Sequence, residues 1–196
     1  MVRPAVSVIT FLVLLLTDLG CGSTQLEPKD AGRMLDQIQR PIEPMVLPWH
    51  VCVDDDFHRL QQPTLDAIAQ WHEWSTQDGI PREWFLYESR SDEPCVPRRV
   101  GNIHVSIAIP NSANAVAEAR FTWNVLGEMK YCDIVVHPDF VDHPNEQLQL
   151  WMEHELGHCM GLAHDEAGTN SLMESPTPIT ATLTAHDFEV LTERRR

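Results

Sequence analysis

The chain reads as an α+β protein: five short stretches of strand character, two longer helical stretches and a short C-terminal helix follow one another along it. Three observations carry that reading. Ile103 to Ile109 places an apolar residue at every second position, the period of a half-buried strand. Leu65, Ile68, Trp71 and Trp74 recur every three residues, as on one side of a helix. Thr184 and Asp187 form a capping-box pair, with Leu183 and Phe188 placed as a hydrophobic staple, which starts a last helix.

Taken in order, Trp49 to Val53 is the first strand, ending at Asp54-Asp55-Asp56. Pro63-Thr64 then opens the first helix, since proline is favoured at the start of a helix and not within it. Trp84 to Tyr87 is a second strand, and Ile103 to Ile109 the clearest one. Ala119 to Trp123 and Cys132 to Val136 follow, the latter a nearly continuous apolar run suited to burial on both faces. Pro144-Asn145 starts a long helix through about Gly161, and an irregular loop leads to the last helix. Trp71, Trp74 and Trp84 are expected in the core. No internal repeat is present.

A chain of 196 residues suits one catalytic-sized domain and an export segment. Arg3 followed by the apolar run Val6 to Leu16 has the form of a signal peptide, too short to span a bilayer comfortably. Leu19-Gly20-Cys21-Gly22 resembles a degenerate bacterial lipoprotein box, with Asp18 where an aliphatic residue is usual. This gives residues 1–21 as a lipoprotein-type signal peptide with Cys21 lipidated; ordinary secretion and an uncleaved anchor are the alternatives. Residues 22–44, polar and interrupted by Pro28, Pro41 and Pro44, form a flexible tether, and residues 45–196 the folded domain. The net charge of −15 argues against nucleic acid or an anionic membrane surface as partner, since both need basic patches. Membrane contact is expected only through a lipid on Cys21, and the chain is expected to be monomeric, in the cell envelope or outside the cell.

The chemistry concentrates in His154-Glu155-Leu156-Gly157-His158-Cys159-Met160-Gly161-Leu162-Ala163-His164-Asp165. On a helix, residues four apart share a face, so His154 and His158 can direct their imidazoles at one ion. Glu155 lies about 100° around the helix from His154, within reach of a water at that ion without ligating it. Gly161 permits a sharp exit that brings back His164 as third ligand. Three protein ligands leave a fourth position open, as in catalytic rather than structural zinc sites. Neutral imidazoles favour zinc over hard cations.

The pattern H-E-x-x-H-x-x-G-x-x-H resembles the signature of the metzincin zinc metalloproteases, and Ser171-Leu172-Met173-Glu174-Ser175 resembles their Met-turn. The short gap from His164 to Met173 and the closing Leu183 to Phe188 segment are most like the matrixins. Asp165 departs toward the adamalysin-like enzymes; there is no cysteine-switch propeptide and no Met-turn tyrosine. The resemblance covers roughly Trp49 to Leu191. It implies a zincin-like domain: a mixed, twisted five-stranded sheet with two long helices and a C-terminal helix. It also implies one catalytic zinc on His154, His158 and His164, Glu155 as general base, and Met173 as a floor beneath the metal. The substrate would be an extended peptide or protein paired along the strand at Ala119–Thr122, with Glu174 to Thr182 walling its specificity pocket. A different class, a surface-binding lipoprotein that keeps the fold but not turnover, is the competing reading; retention of Glu155 speaks against it. An aminopeptidase would need an acidic anchor that the sequence does not place.

Four further cysteines in an exported chain imply two disulfides. Cys159 lies about 100° from His158, on the helix face of Leu148, Met152 and Leu156 that should meet the sheet at Cys132. That predicts Cys132–Cys159 and, by elimination, Cys52–Cys95, a free buried pair being the alternative. Asp54 to Asp56 could hold a structural calcium but lacks the spaced oxygens of a calcium loop; a solvated strand end is the simpler reading. His137 and His143 share no ligand spacing and read as surface or supporting residues.

Overall fold

The computed structural model describes residues 48–54, 56–77, 83–88, 95, 100–112, 114–123, 129–165, 169–175, 177 and 180–193. Cys21, the signal segment and the tether lie outside them, as does Asp55. The elements are β1 (Trp49–Val53), α1 (His58–Gln77), β2 (Phe85–Tyr87), β3 (Asn102–Ile107), β4 (Ala117–Trp123), β5 (Met129–Val136), a single 3-10 turn (Pro138–Phe140), α2 (Asn145–Cys159) and α3 (Ala185–Glu193).

The strands form one mixed sheet in the order β2-β1-β3-β5-β4. The first four are mutually parallel, and β4 runs antiparallel to β5 at the edge. Alternation sorts the two faces: Val51, Ile103 and Cys132 share one row, Val53, Val105 and Ile134 the next, and all are buried. The Cys132–Cys159 disulfide marks this as the face toward the helices. The α+β class and the pairing of the four cysteines are thus as expected, with the second bridge Cys52–Cys95. Both bridges fit an oxidising, extracytoplasmic environment.

The opposite face is polar yet largely covered. Glu118 on β4 is fully buried; its Oε2 accepts from Asn111 N at 2.7 Å and from Arg120 Nε at 3.0 Å. Arg120 also donates to Ile109 O at 3.0 Å, tying the loop after β3 back over the edge strand. β3 ends at Ile107 rather than Ile109, because Pro110 has no N–H for a ladder and Ile109 swings out, 72% exposed.

Two expectations for α1 are corrected. The helix starts at His58, and Pro63 is inside it. Phe57 N donates to Asp54 O and Leu60 N to Phe57 O, each at 2.9 Å, so the turn is already wound before the proline. Arg59 then holds this turn on the start of α2, donating to His143 O at 2.7 Å and to Asn145 Oδ1. Leu65 is exposed, not inward. A strict three-residue spacing falls about 60° behind the helix per step, so a stripe centred on Trp71 has left Leu65 by two steps. The buried stripe is Leu60, Pro63, Thr64, Ala67, Ile68, Trp71, Trp74 and Ser75. Trp71 sits edge-on to Trp74 and Phe85, and its Nε1 donates to Glu153 O of α2 at 3.1 Å.

α3 begins as expected: Thr184 N donates to Asp187 Oδ2 at 2.7 Å, and Asp187 N to Thr184 Oγ1 at 3.3 Å.

Candidate metal centre

α2 ends in a glycine turn that does two things. Gly161 takes φ 87°, the left-handed conformation open to glycine; its N–H donates to His158 O at 2.8 Å, and Leu162 N to Gly157 O at 3.0 Å. This paired pattern is a Schellman motif, which satisfies the last carbonyls of the helix. It also presents Leu162 O to the helix it has just ended, where His158 Nδ1 donates to it at 2.8 Å. His154, one turn earlier, donates from Nδ1 to Leu172 O at 2.6 Å.

Those two bonds fix tautomers. A bare Nδ1 would face a carbonyl lone pair with no proton between, so Nδ1 carries the hydrogen and Nε2 the lone pair in both rings. Beyond the turn, the chain returns His164 so that its Nε2 lies 3.0 Å from His158 Nε2. Ring centroids of the three imidazoles lie 4.7, 5.2 and 4.6 Å apart, and one donor atom from each falls within 4.8 Å of the others. His154 Nε2 is buried without a hydrogen-bond partner. Burial, then the neighbouring His164, pushes His154 down to about 3. The same causes, with His154 added, hold His158 well below the ordinary histidine value. Neutral, convergent imidazoles with a bare nitrogen in a dry place could hold a metal ion. Among the described residues this is the one group of three donor side chains so placed.

The surroundings are built to hold this shape. Glu155, next on α2 after His154, is buried. Met173 is fully buried against α2: a Cβ on Gly157 would lie 2.4 Å from its Sδ. Met173 O accepts from Asp165 N at 2.9 Å, so the residue after the third histidine is tied to the methionine turn. Met173 N donates to Ser171 Oγ at 3.0 Å, and Ser171 Oγ donates to Asp187 Oδ2 at 3.1 Å. The cap of α3 therefore supports the turn under the histidines. Cys159, adjacent to His158, is anchored to β5 through Cys132.

Residues outside the centre fall into ordinary roles. His137 Nδ1 accepts from Asp139 N at 3.2 Å, and His143 packs on Trp151 with ring centroids 5.3 Å apart. Asp54 lies at the end of β1 with its Oδ2 3.9 Å from His104 Nε2, and among the described residues it belongs to no group of three His, Cys, Asp or Glu side chains placed to hold a metal.

Three contributors escaped sequence reasoning. Thr177 Oγ1 lies 2.9 Å from His154 Nδ1, and nothing in a threonine between two prolines announces it. The Ser171–Asp187 link joins residues seen separately as turn and cap. Glu153 is buried, its carboxyl raised to about 7 by burial against the opposing Gln149 hydrogen bond; its place next to His154 was the available signal. No sequence model of a known protein family matches the chain, and no curated protein matches it.

Proposed function

We propose that the protein is a zinc-dependent metalloendopeptidase of the metzincin type, acting on peptide bonds of proteins outside the cytoplasm. The observation that carries the reading is the convergence of three imidazoles, two with Nδ1 committed to backbone carbonyls, beside a buried glutamate one residue along the same helix. Zinc held there supplies Lewis acidity toward a carbonyl and toward water. His154 and His158, each with Nδ1 committed to a carbonyl, would hold it through Nε2, with His164 as the third ligand. Glu155 accepts one proton from the attacking water as the C–O bond forms. It hands that proton to the leaving nitrogen as the C–N bond breaks. Burial keeps His154 and His158 neutral.

The sheet edge supports an extended substrate. β4 pairs only with β5 among the described strands and α2 packs against it, which makes it the edge strand along which an extended peptide would add. The two disulfides support export, and lipidation at Cys21 would keep the enzyme at the cell surface.

The test is zinc content and cleavage of a quenched-peptide library by residues 22–196, beside Glu155→Ala. The expected result is one equivalent of zinc in both proteins and internal cleavage by the wild type alone. Zinc in both with cleavage by neither would favour the silent binding protein. Folded wild type without stoichiometric zinc would remove the metal centre itself.

A further inference from the structure

The segment from Met173 to Ala181 is pinned at its neck. Asn170, at φ 57°, donates from Nδ2 to Thr180 O at 3.2 Å, and Thr180 Oγ1 donates to Asn170 Oδ1 at 3.0 Å. Leu172 N donates to Thr182 O at 2.8 Å, closing the two arms together. From inside this closed loop, half-buried Thr177 reaches back to His154 Nδ1 at 2.9 Å. The same nitrogen already serves Leu172 O at 2.6 Å. With Nδ1 protonated, its hydrogen is shared between two oxygens, one from the base of the loop and one from within it.

A metal-bound histidine owes its ring orientation and part of its basicity to whatever its other nitrogen contacts. A carbonyl alone leaves the ring some freedom to rock about its bond to Cβ; a second oxygen from a different direction removes it. We propose that Thr177 is a positioning residue for the metal ligand His154, and that its hydroxyl couples the Met173–Ala181 loop to the metal centre. This rests on the metal centre of the proposed function, and on the family resemblance that makes Glu174 to Thr182 a wall of the substrate pocket. A substrate side chain that shifts the loop would then be felt at the metal through one hydrogen bond.

The experiment compares wild type, Thr177→Val and Thr177→Ser in the full mature chain. Valine keeps the branched shape and removes the oxygen; serine keeps the oxygen. Zinc affinity is read by competition with a chromophoric chelator, ligand geometry by the visible spectrum of the cobalt(II)-loaded protein, and folding by the thermal midpoint of the metal-free protein. The expected result is a loss of roughly tenfold or more in zinc affinity in Thr177→Val, the low end of such outer contacts. Its cobalt bands should also shift, serine should restore both, and the metal-free midpoints should agree. Thr177→Val with wild-type affinity and spectrum would overturn the proposal, as would equal losses in valine and serine, which would reduce Thr177 to packing. Wild type that binds neither ion would overturn it together with the metal centre, whereas wild-type binding with an unchanged valine variant overturns this inference alone.

Discussion

α1 and the second half of α2 pack against each other under the same sheet, yet their burial has opposite origins. In α1 burial largely follows polarity, and the two buried hydroxyls, Thr64 and Ser75, donate to carbonyls of their own helix. Leu60, Ala67, Ile68, Trp71 and Trp74 go inward, while Gln62, Glu73 and Thr76 stay in water. In α2 every residue from Met152 to Cys159 is buried, including Glu153, His154, Glu155 and His158. Hydrophobicity cannot hold such a stretch, since each buried polar group costs free energy unless it is bonded. Gln149 on Glu153, Leu172 O on His154 and Leu162 O on His158 offset that cost one group at a time. Where burial follows polarity, a helix serves stability; where it runs against polarity and is bonded group by group, it serves chemistry.

The largest test of that contrast is in α1. Trp71→Ala removes a fully buried indole and its bond to Glu153 O, and should cost about 3–5 kcal/mol of unfolding free energy. Zinc affinity of the protein that remains folded should not change. Denaturant unfolding and chelator competition on the same sample check both. A parallel loss of zinc affinity would mean that α1 positions the ligands, and the contrast would fail.

Acid is the next largest effect, and it falls on α2. The unfolded chain gains protons on its histidines below 6.5, whereas His154 stays neutral in the fold until about 3 and His158 also resists protonation. The unfolded state binds more protons, so stability falls with pH by up to about 1.4 kcal/mol per unit for each histidine. Glu153 acts oppositely. Its carboxyl is raised from 4.5 to about 7, so the folded state gains the proton first and stability rises as pH drops through that window. The metal-free wild type should therefore change little from pH 7 to about 6 and below that lose up to about 1.4 kcal/mol per pH unit, and Glu153→Gln up to about twice that. Denaturant midpoints between pH 7 and 5 check it. Flat curves for both proteins would mean that the histidines are not buried neutral.

Much of this was legible because the signals were local. Gly161, His158 and Leu162 lie within one turn, so the ligand, the exit and the turn follow from adjacent residues. Cys159 was assigned to Cys132 from helical angle alone, and Thr184 to Asp187 from a four-residue motif. What was not legible depends on contacts across the chain. α1 winds before Pro63 because Arg59 binds the start of α2, more than eighty residues away. Thr177 meets His154 across 23 residues, and Ser171 meets Asp187 across 16. Strand order is the same kind of fact: β1 lies between β2 and β3 through pairings that no local period encodes.

The smallest expected effect is the sharpest in sign. Glycine to alanine inside a helix ordinarily stabilises by about 1 kcal/mol, since it removes backbone freedom from the unfolded chain. Gly157 should do the reverse. Its new Cβ would stand 2.4 Å from Met173 Sδ and 3.2 Å from Met173 Cε. The methionine backbone is held by Ser171 Oγ on one side and Asp165 N on the other, so only the thioether can swing, and it is fully buried. Overpacking of this kind costs about 1–3 kcal/mol. The decisive form is a double-mutant cycle with Met173→Ala, which opens the space the new methyl needs. Gly157→Ala should destabilise the wild type and turn neutral or stabilising once Met173 is truncated. Without coupling, the helix and the methionine turn would not be in contact, and α2's glycine would obey the same propensity rules as any residue on α1's exposed side.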